Sequence, residues 1–281
     1  MARGPEIDFQ ETHEKRRRRR RYFFWFLIVV CIGVVIFGTW WLVLRSPLFL
    51  VQHINVTGNR EIPEDAIVDL IKAKALRESS IKRWIGLASM FVWPETLTQD
   101  DLKPVPLART VAIEKSYRER TITVTVAERE PYGIWCNMRN DAEPTQIEME
   151  CWWFDRDGVL FKKALAAEGN LIRVINDYSQ KLPRLSEKIL PERLISNLVS
   201  VLETLEQSSL SLKEVRLDDV SSESIEVRTN DGPKLLFSLR FPAHNTLAVI
   251  QKLFSAEGGS ASGGKNLQYI DFTVENRAYY K

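Results

Sequence analysis

A run of 23 residues without a charge, from Tyr22 to Leu44, constrains this chain more than any other feature. At about 1.5 Å of rise per residue, a helix of this length crosses the roughly 30 Å hydrocarbon core of a bilayer. Trp25 lies near one end and Trp40 and Trp41 near the other, where aromatic side chains favour the membrane–water interface. A buried helix of a soluble protein would be shorter or amphipathic, so we predict a transmembrane helix over 22–44.

The basic residues that precede this run predict its orientation. Cations near a membrane span stay on the cytoplasmic side, and only Arg45 follows the span closely. We therefore predict a basic cytoplasmic tail over 1–21 and an extracytoplasmic body. A nucleic-acid patch is the alternative interpretation, but a position directly against an apolar helix favours the topological role. The topology-determining residues are Lys15, Arg16, Arg17, Arg18, Arg19, Arg20 and Arg21.

A cleaved signal peptide also pairs a basic region with an apolar one. Its apolar core is about 7–15 residues long and ends in small residues. The run in this chain is longer and leaves through Thr39-Trp40-Trp41. The sequence therefore favours an uncleaved signal anchor in the cell (inner) membrane.

The net charge and the cysteines constrain the body less than the apolar run constrains the N-terminal part of the chain. The net charge of the chain is +2; residues 1–21 hold eight basic and four acidic residues, which leaves −2 for the rest. A body so close to neutral gives no sign of a polyanionic ligand such as nucleic acid. Cys31 lies in the span, whereas Cys136 and Cys151 flank a polar stretch between two strand-like runs, so a disulfide between them is possible but not required.

The pattern after the span predicts an α+β body with two domains. Over 48–130 we expect a strand at 48–56, a helix from Pro63, a short helix near 93–102 and strands near 111–113 and 121–126. This is a strand-helix-helix-strand-strand order. Over 131–281 we expect a mixed, strand-rich domain with packed helices. Its predicted elements are strands near 132–136, 151–154, 159–161, 171–175, 212–217, 224–229, 235–239 and 269–280, helices over 190–205 and 247–254, a turn at Asp231-Gly232 and a loop at Gly258–Gly264.

No catalytic, cofactor or metal constellation emerges from the body. His53 and His244 are its only histidines, and no nucleophile or zinc-protease motif accompanies either one. Asp155-Arg156-Asp157-Gly158 has two carboxylates at the spacing of a calcium loop but lacks the rest of that ligand pattern. A turn between two strands is the better interpretation. We expect no enzyme activity and no cofactor.

Five motifs, in order, resemble the FtsQ/DivIB family of bitopic division proteins. The run Ile54–Pro63 is similar to the opening of that family's POTRA domain, and Tyr117–Trp135, with Glu128-Arg129-Glu130-Pro131, to its exit. Phe154–Phe161 is similar to the Asp-x-x-Gly hairpin. Leu182–Leu185 and Tyr269–Asp271 follow at the family's spacing.

Two positions depart from the family pattern. Glu119 stands where a proline is frequent, and Thr273 where an arginine is frequent. The second departure weakens the transfer of residue roles at the C-terminal strand.

The resemblance implies a POTRA domain over 48–130 and an FtsQ-type β domain over 131–281. It also implies a non-enzymatic scaffold at the division septum that binds FtsB and FtsL, links early and late division proteins and helps control septal peptidoglycan synthesis. Other functions stay open: a POTRA-bearing protein of a secretion or envelope-assembly system, or an anchored wall-modifying enzyme.

In the family the partner adds a strand at the end of the β domain. An exposed strand edge can accept such a strand, so a C-terminal strand over 272–280 is the predicted site. The POTRA edge and the anchor are further candidate surfaces, and the strand could instead be covered within the protein. The predicted contact residues are Phe272, Val274, Asn276, Ala278 and Tyr280.

Overall fold

The structure is a computed structural model. It describes residues 9–139, 148–165, 173–179, 183–208, 210–230, 232–254 and 267–281. The fold is mixed α+β with an apolar N-terminal helix and strand-rich sheets, as predicted. The predictions that involve Asp231, Leu182 and the loop Gly258–Gly264 lie wholly or partly outside the described residues.

The N-terminal helix α1 runs from Phe9 to Arg45. Its apolar part, Arg21–Leu42, has a mean hydropathy of 2.5 and is not buried against the rest of the chain. This segment is long and apolar enough to cross a membrane. The helix begins 13 residues before Tyr22, so the backbone of the basic run is helical and continuous with the span.

The described residues divide into two compact units. One draws on Met1–Thr57, Ile71–Thr96 and Ala112–Val124, and the other on Gly58–Leu70, Leu97–Val111 and Thr125–Lys281. The predicted domains 48–130 and 131–281 stay a prediction.

The strands that follow α1 form a three-stranded sheet in the order β1-β3-β2. Its strands are β1 (His53–Thr57), β2 (Ala108–Ser116) and β3 (Thr121–Glu128), and three helices lie between β1 and β2: α2 (Glu64–Glu78), α3 (Ser80–Ile85) and α4 (Gln99–Leu102). In β3, Ile122, Val124 and Val126 are buried, as the alternation of apolar residues predicts.

Two predicted elements of this region were wrong in extent. The chain makes one 3-10 turn at Pro47–Phe49 before β1 begins, so 48–56 is not one strand. The helix predicted near 93–102 is only the four residues of α4. Pro94 lacks an N–H and keeps Trp93 out of helical geometry. The helix starts after Thr98, whose N–H and hydroxyl both bond the Asp101 carboxylate.

In the described part of the chain, nine further strands form a second, mixed sheet in the order β12-β11-β10-β9-β8-β7-β4-β5-β6. Neighbouring strands are parallel at β10–β11, β4–β7 and β7–β8. The strands are β4 (Gly133–Arg139), β5 (Glu148–Phe154), β6 (Leu160–Ala164), β7 (Val174–Asp177), β8 (Leu212–Leu217), β9 (Ser224–Thr229), β10 (Lys234–Ser238), β11 (Tyr269–Phe272) and β12 (Tyr279–Tyr280).

Helix α5 (Glu192–Gln207) supplies much of the core of this sheet. Leu194, Leu198, Val201 and Leu205 are buried in one cluster with strand residues such as Phe237. Burial of each such side chain stabilises the fold by about 1.5–3 kcal/mol. A second helix, α6 (Leu247–Phe254), adds Ile250 to the same core.

Strands β4 and β5 place Cys136 directly opposite Cys151. A disulfide joins the two, and both are buried. The structure therefore contains the cross-strand disulfide, which the sequence allowed but did not require.

Candidate protein-binding edge

The C-terminal segment is a hairpin and not the single strand predicted over 272–280. Strand β11 ends at Phe272, and β12 returns antiparallel to it at Tyr279. The Asp271 carboxylate accepts a bond from the Thr273 N–H at 2.8 Å, and Asn276 adopts a φ of 57°, which asparagine tolerates better than most residues. These local preferences turn the chain.

The hairpin separates the five predicted contact residues. Phe272 is only 2% exposed and stacks on Phe237, so its predicted outward orientation is wrong. Ala278 is half-buried against the core, and Val274 and Asn276 lie exposed in the turn. Tyr280 alone lies on the edge strand with an exposed side chain.

Among the described residues, the backbone N–H and C=O of one residue of the edge strand β12 face no neighbouring strand. The Lys281 N–H donates to the Tyr269 carbonyl, and the Lys281 carbonyl accepts from Gln268. Because backbone groups alternate in direction along an antiparallel strand, the N–H and C=O of Tyr280 point away from β11. Within the described part of the chain, no strand lies beyond β12.

Three exposed tyrosines lie on or next to the edge strand β12. Tyr279 pairs with Asp271 and Tyr280 with Ile270, so the two rings project on opposite faces of the sheet. Tyr269, on β11, is also partly exposed. Tyrosine offers a large apolar ring and a polar tip, a combination enriched at protein interfaces.

A groove of about 470 Å³ is lined by the turn between β11 and β12 and by residues 241–249. One part of the groove is lined by apolar side chains, those of Val249, Phe272, Val274 and Ala278. Polar groups, among them His244, line the remainder. Such a groove is large enough to receive side chains of a bound segment.

The opposite edge of the sheet, β6, is protected. The Leu160 N–H donates to the Glu187 carbonyl and the Leu160 carbonyl accepts from Ser186, so the chain itself covers the first half of the edge. The second half carries Lys162 and Lys163, both exposed. Edge lysines and covering loops prevent strand addition, which makes β12 the more accessible edge.

The turn Asp155–Gly158 connects β5 and β6, as predicted. One Asp155 oxygen accepts bonds from the N–H groups of Asp157 and Val159, and the other lies 2.5 Å from Arg129 Nη1. Both carboxylate oxygens are thus engaged within the protein, and this aspartate stabilises the turn.

Glu128 has a structural role that sequence reasoning missed. Its Oε1 accepts the backbone N–H groups of Arg60, Glu61 and Ile62 at 2.7–2.9 Å. Burial raises the pKa of Glu128, but these three donors lower it more, and the net shift is downward. The only sequence signal was its position in the run Glu128–Pro131.

Sequence reasoning also missed Tyr279 as an edge residue and Tyr269 as an exposed residue of the adjacent strand β11. A strand over 272–280 would place every second side chain outward and so omits Tyr279. The paired tyrosines at 279–280 were the available signal.

No family model matches the chain, and no curated protein matches it either.

Proposed function

We propose that this chain is a membrane-anchored, non-enzymatic scaffold of the FtsQ/DivIB type. In this proposal α1 is a single-pass anchor with a cytoplasmic N-terminus. The body lies outside the cytoplasm at the division septum. It binds FtsB and FtsL homologues there, links early and late division proteins and helps control septal peptidoglycan synthesis.

Three observations support the proposal. Among the described residues, one apolar helix precedes an α+β body. The β1-β3-β2 sheet with intervening helices is compatible with the predicted POTRA arrangement. The motifs of the sequence resemblance occur in the family's order.

The observation that carries the proposal is the free edge at Tyr280. Its N–H and C=O point away from β11, exposed tyrosines lie on and beside the edge strand, and the turn that leads into this strand lines a groove. A partner segment in extended conformation would pair with these groups and place side chains in the groove. Main-chain bonds would provide affinity, and the groove would provide specificity.

The test is binding of an FtsB homologue from the same organism to the full chain in lipid nanodiscs. Tyr280→Pro removes the outward N–H, while the bonds of β12 to β11 come from neighbouring residues. Tyr280→Ala is the matched control, since it also removes the ring but keeps the N–H. We expect Tyr280→Pro to bind at least about tenfold more weakly than Tyr280→Ala, or about 1.4 kcal/mol.

A point substitution is better than truncation at Gln268, which would remove the buried Ile270 and Phe272 from the core. Equal affinities of the proline and alanine variants would exclude strand addition at β12. No binding by the unmodified chain would contradict the scaffold proposal itself.

A further inference from the structure

Helix α3 is a short helix with no buried residue. Ile81 and Trp84 are 62% and 63% exposed, and a spacing of three residues places them on the same side of the helix. Exposure of two large apolar side chains on one helical turn costs free energy in water. Such a surface indicates an apolar or interfacial environment.

Further exposed aromatic residues lie in the same compact unit. Phe91 and Tyr117 are also exposed, and their ring centroids are 6.0 Å apart. Phe49 contacts both rings, at 4.8 and 6.1 Å. We call Ile81, Trp84, Phe91 and Tyr117 the juxtamembrane patch.

The patch is continuous with the end of the apolar helix. The ring of Trp41, in the last turns of α1, lies 5.3 Å from the ring of Trp84. Trp41 belongs to the segment whose length and composition suit a bilayer, near the end where tryptophan favours the interface. A residue in ring contact with Trp41 therefore lies at the level of the lipid headgroups.

Backbone bonds tie the rest of the patch to the chain that follows α1. The Met90 N–H donates to the Phe49 carbonyl at 2.8 Å, which ties the loop before Phe91 to the chain just after α1. The Gln52 N–H donates to the Arg120 carbonyl at 2.9 Å, which places the β2–β3 turn beside the same segment.

Basic side chains accompany the apolar ones. Arg83 precedes Trp84 on α3, Arg118 follows Tyr117 in the β2–β3 turn, and both are exposed. Alternation of aromatic and cationic residues is the composition of segments that lie in a membrane interface and contact anionic headgroups.

We infer that the juxtamembrane patch inserts into the headgroup region of the outer leaflet and holds this unit against the bilayer. The ring contact with Trp41 identifies lipid as the occupant, since a protein partner there would have to compete with the membrane surface. The inference requires the membrane span but not the division role.

The test uses the full chain in nanodiscs with an environment-sensitive label on a single free cysteine. Cys136 and Cys151 are bonded to each other, so Cys31→Ser leaves an unreactive background. Ile81→Cys places the label in the patch. Glu95→Cys places it at an exposed control position, next to Thr96, which pairs with Ala112 at about 13 Å along β2 from the turn.

We expect nitroxide lipids labelled at the headgroup to quench the label at 81 about threefold more than the label at 95. Trp84→Ser should reduce this difference; since α3 buries no residue, the fold should persist. A label on the native Cys31, read with nitroxides deep in the acyl chains, reports insertion of the span.

Equal quenching at 81 and 95 in a chain whose Cys31 label is membrane-embedded would overturn the inference and leave the scaffold proposal intact. Failure of the Cys31 label to embed would contradict the span, and with it both proposals. The comparison of 81 with 95 does not depend on how well Trp84→Ser folds.

Discussion

At the scale of single residues, two consecutive charges at the end of β3 each fix a different loop. Glu128 gathers the N–H groups of 60–62. Arg129 bonds the Asp155 carboxylate, the Pro106 carbonyl and the Gln99 side chain. Both hold segments from which the second compact unit is built.

Arg129→Met should destabilise the chain by about 3–5 kcal/mol, because it leaves the buried Asp155 carboxylate without its cation. The measurement is urea unfolding of the full chain in detergent, followed by circular dichroism.

The matched control is Arg156→Met, in the turn that contains Asp155. That side chain is 66% exposed and pairs with Glu203 at the surface, so we expect a loss of under about 1 kcal/mol. Equal losses for the two variants would show that the buried pair with Asp155 has no special weight.

Glu128→Gln should destabilise the chain by about 1–2 kcal/mol at pH 7, since the amide weakens three charge-assisted bonds. A carboxylate whose folded pKa is lowered stabilises the fold above its unfolded pKa of about 4.3, and this contribution disappears as the pH falls through the folded pKa. The difference between the original chain and the variant should therefore shrink below about pH 4.

Unfolding midpoints measured from pH 7 down to acid provide this comparison. Glu130→Gln, two residues further on and exposed, is the control and should change stability little at any pH. A Glu128→Gln effect that persists unchanged in acid would assign the loss to packing and not to charge.

At the scale of elements, the periodic spacing of apolar residues predicted helices and strands well. The turn within 269–280 was not predicted. Helix α5 occupies 192–207 where the apolar spacing indicated 190–205, and β3 contains the whole predicted strand. Both have one long buried face, so burial and periodicity agree. The segment 269–280 has a strand-like composition, yet the bonds around Asp271 and Asn276 turn it into a hairpin.

The two edges of the large sheet also belong to this scale. The sequence offers many strands but does not say which two lie outermost, because order in a sheet depends on contacts between distant segments. The structure places β6 and β12 there. The binding test with Tyr280→Pro is therefore a test of one element, the edge β12.

At the scale of the whole molecule, the described residues combine one apolar helix with an α+β body. Basic residues in the N-terminal part of that helix and exposed aromatic residues near its other end are both features that suit a bilayer. A membrane would thus act at two places: across α1 and at the juxtamembrane patch.

Replacement of Arg16–Arg21 by serine should reduce export of the body, because few cations would remain to hold the N-terminus in the cytoplasm. The measurement is the activity of an alkaline phosphatase fused after Lys281, an enzyme that needs an oxidising compartment for its disulfides.

The reciprocal control is a fluorescent protein at the same place that matures only in the cytoplasm. Its signal should rise as the phosphatase activity falls. Unchanged export after loss of all six arginines would show that another feature sets the orientation.

The sequence by itself determined the apolar span, the α+β class and most helices and strands, because each depends on residues close together in the chain. Only the tertiary structure decided which strand edge stays open, where Phe272 lies, and that Trp84 meets Trp41. Those facts depend on pairings between residues far apart, such as Ile270 with Tyr280 or Arg129 with Asp155. Local propensity does not encode such pairings; the free energy of the packed chain selects them.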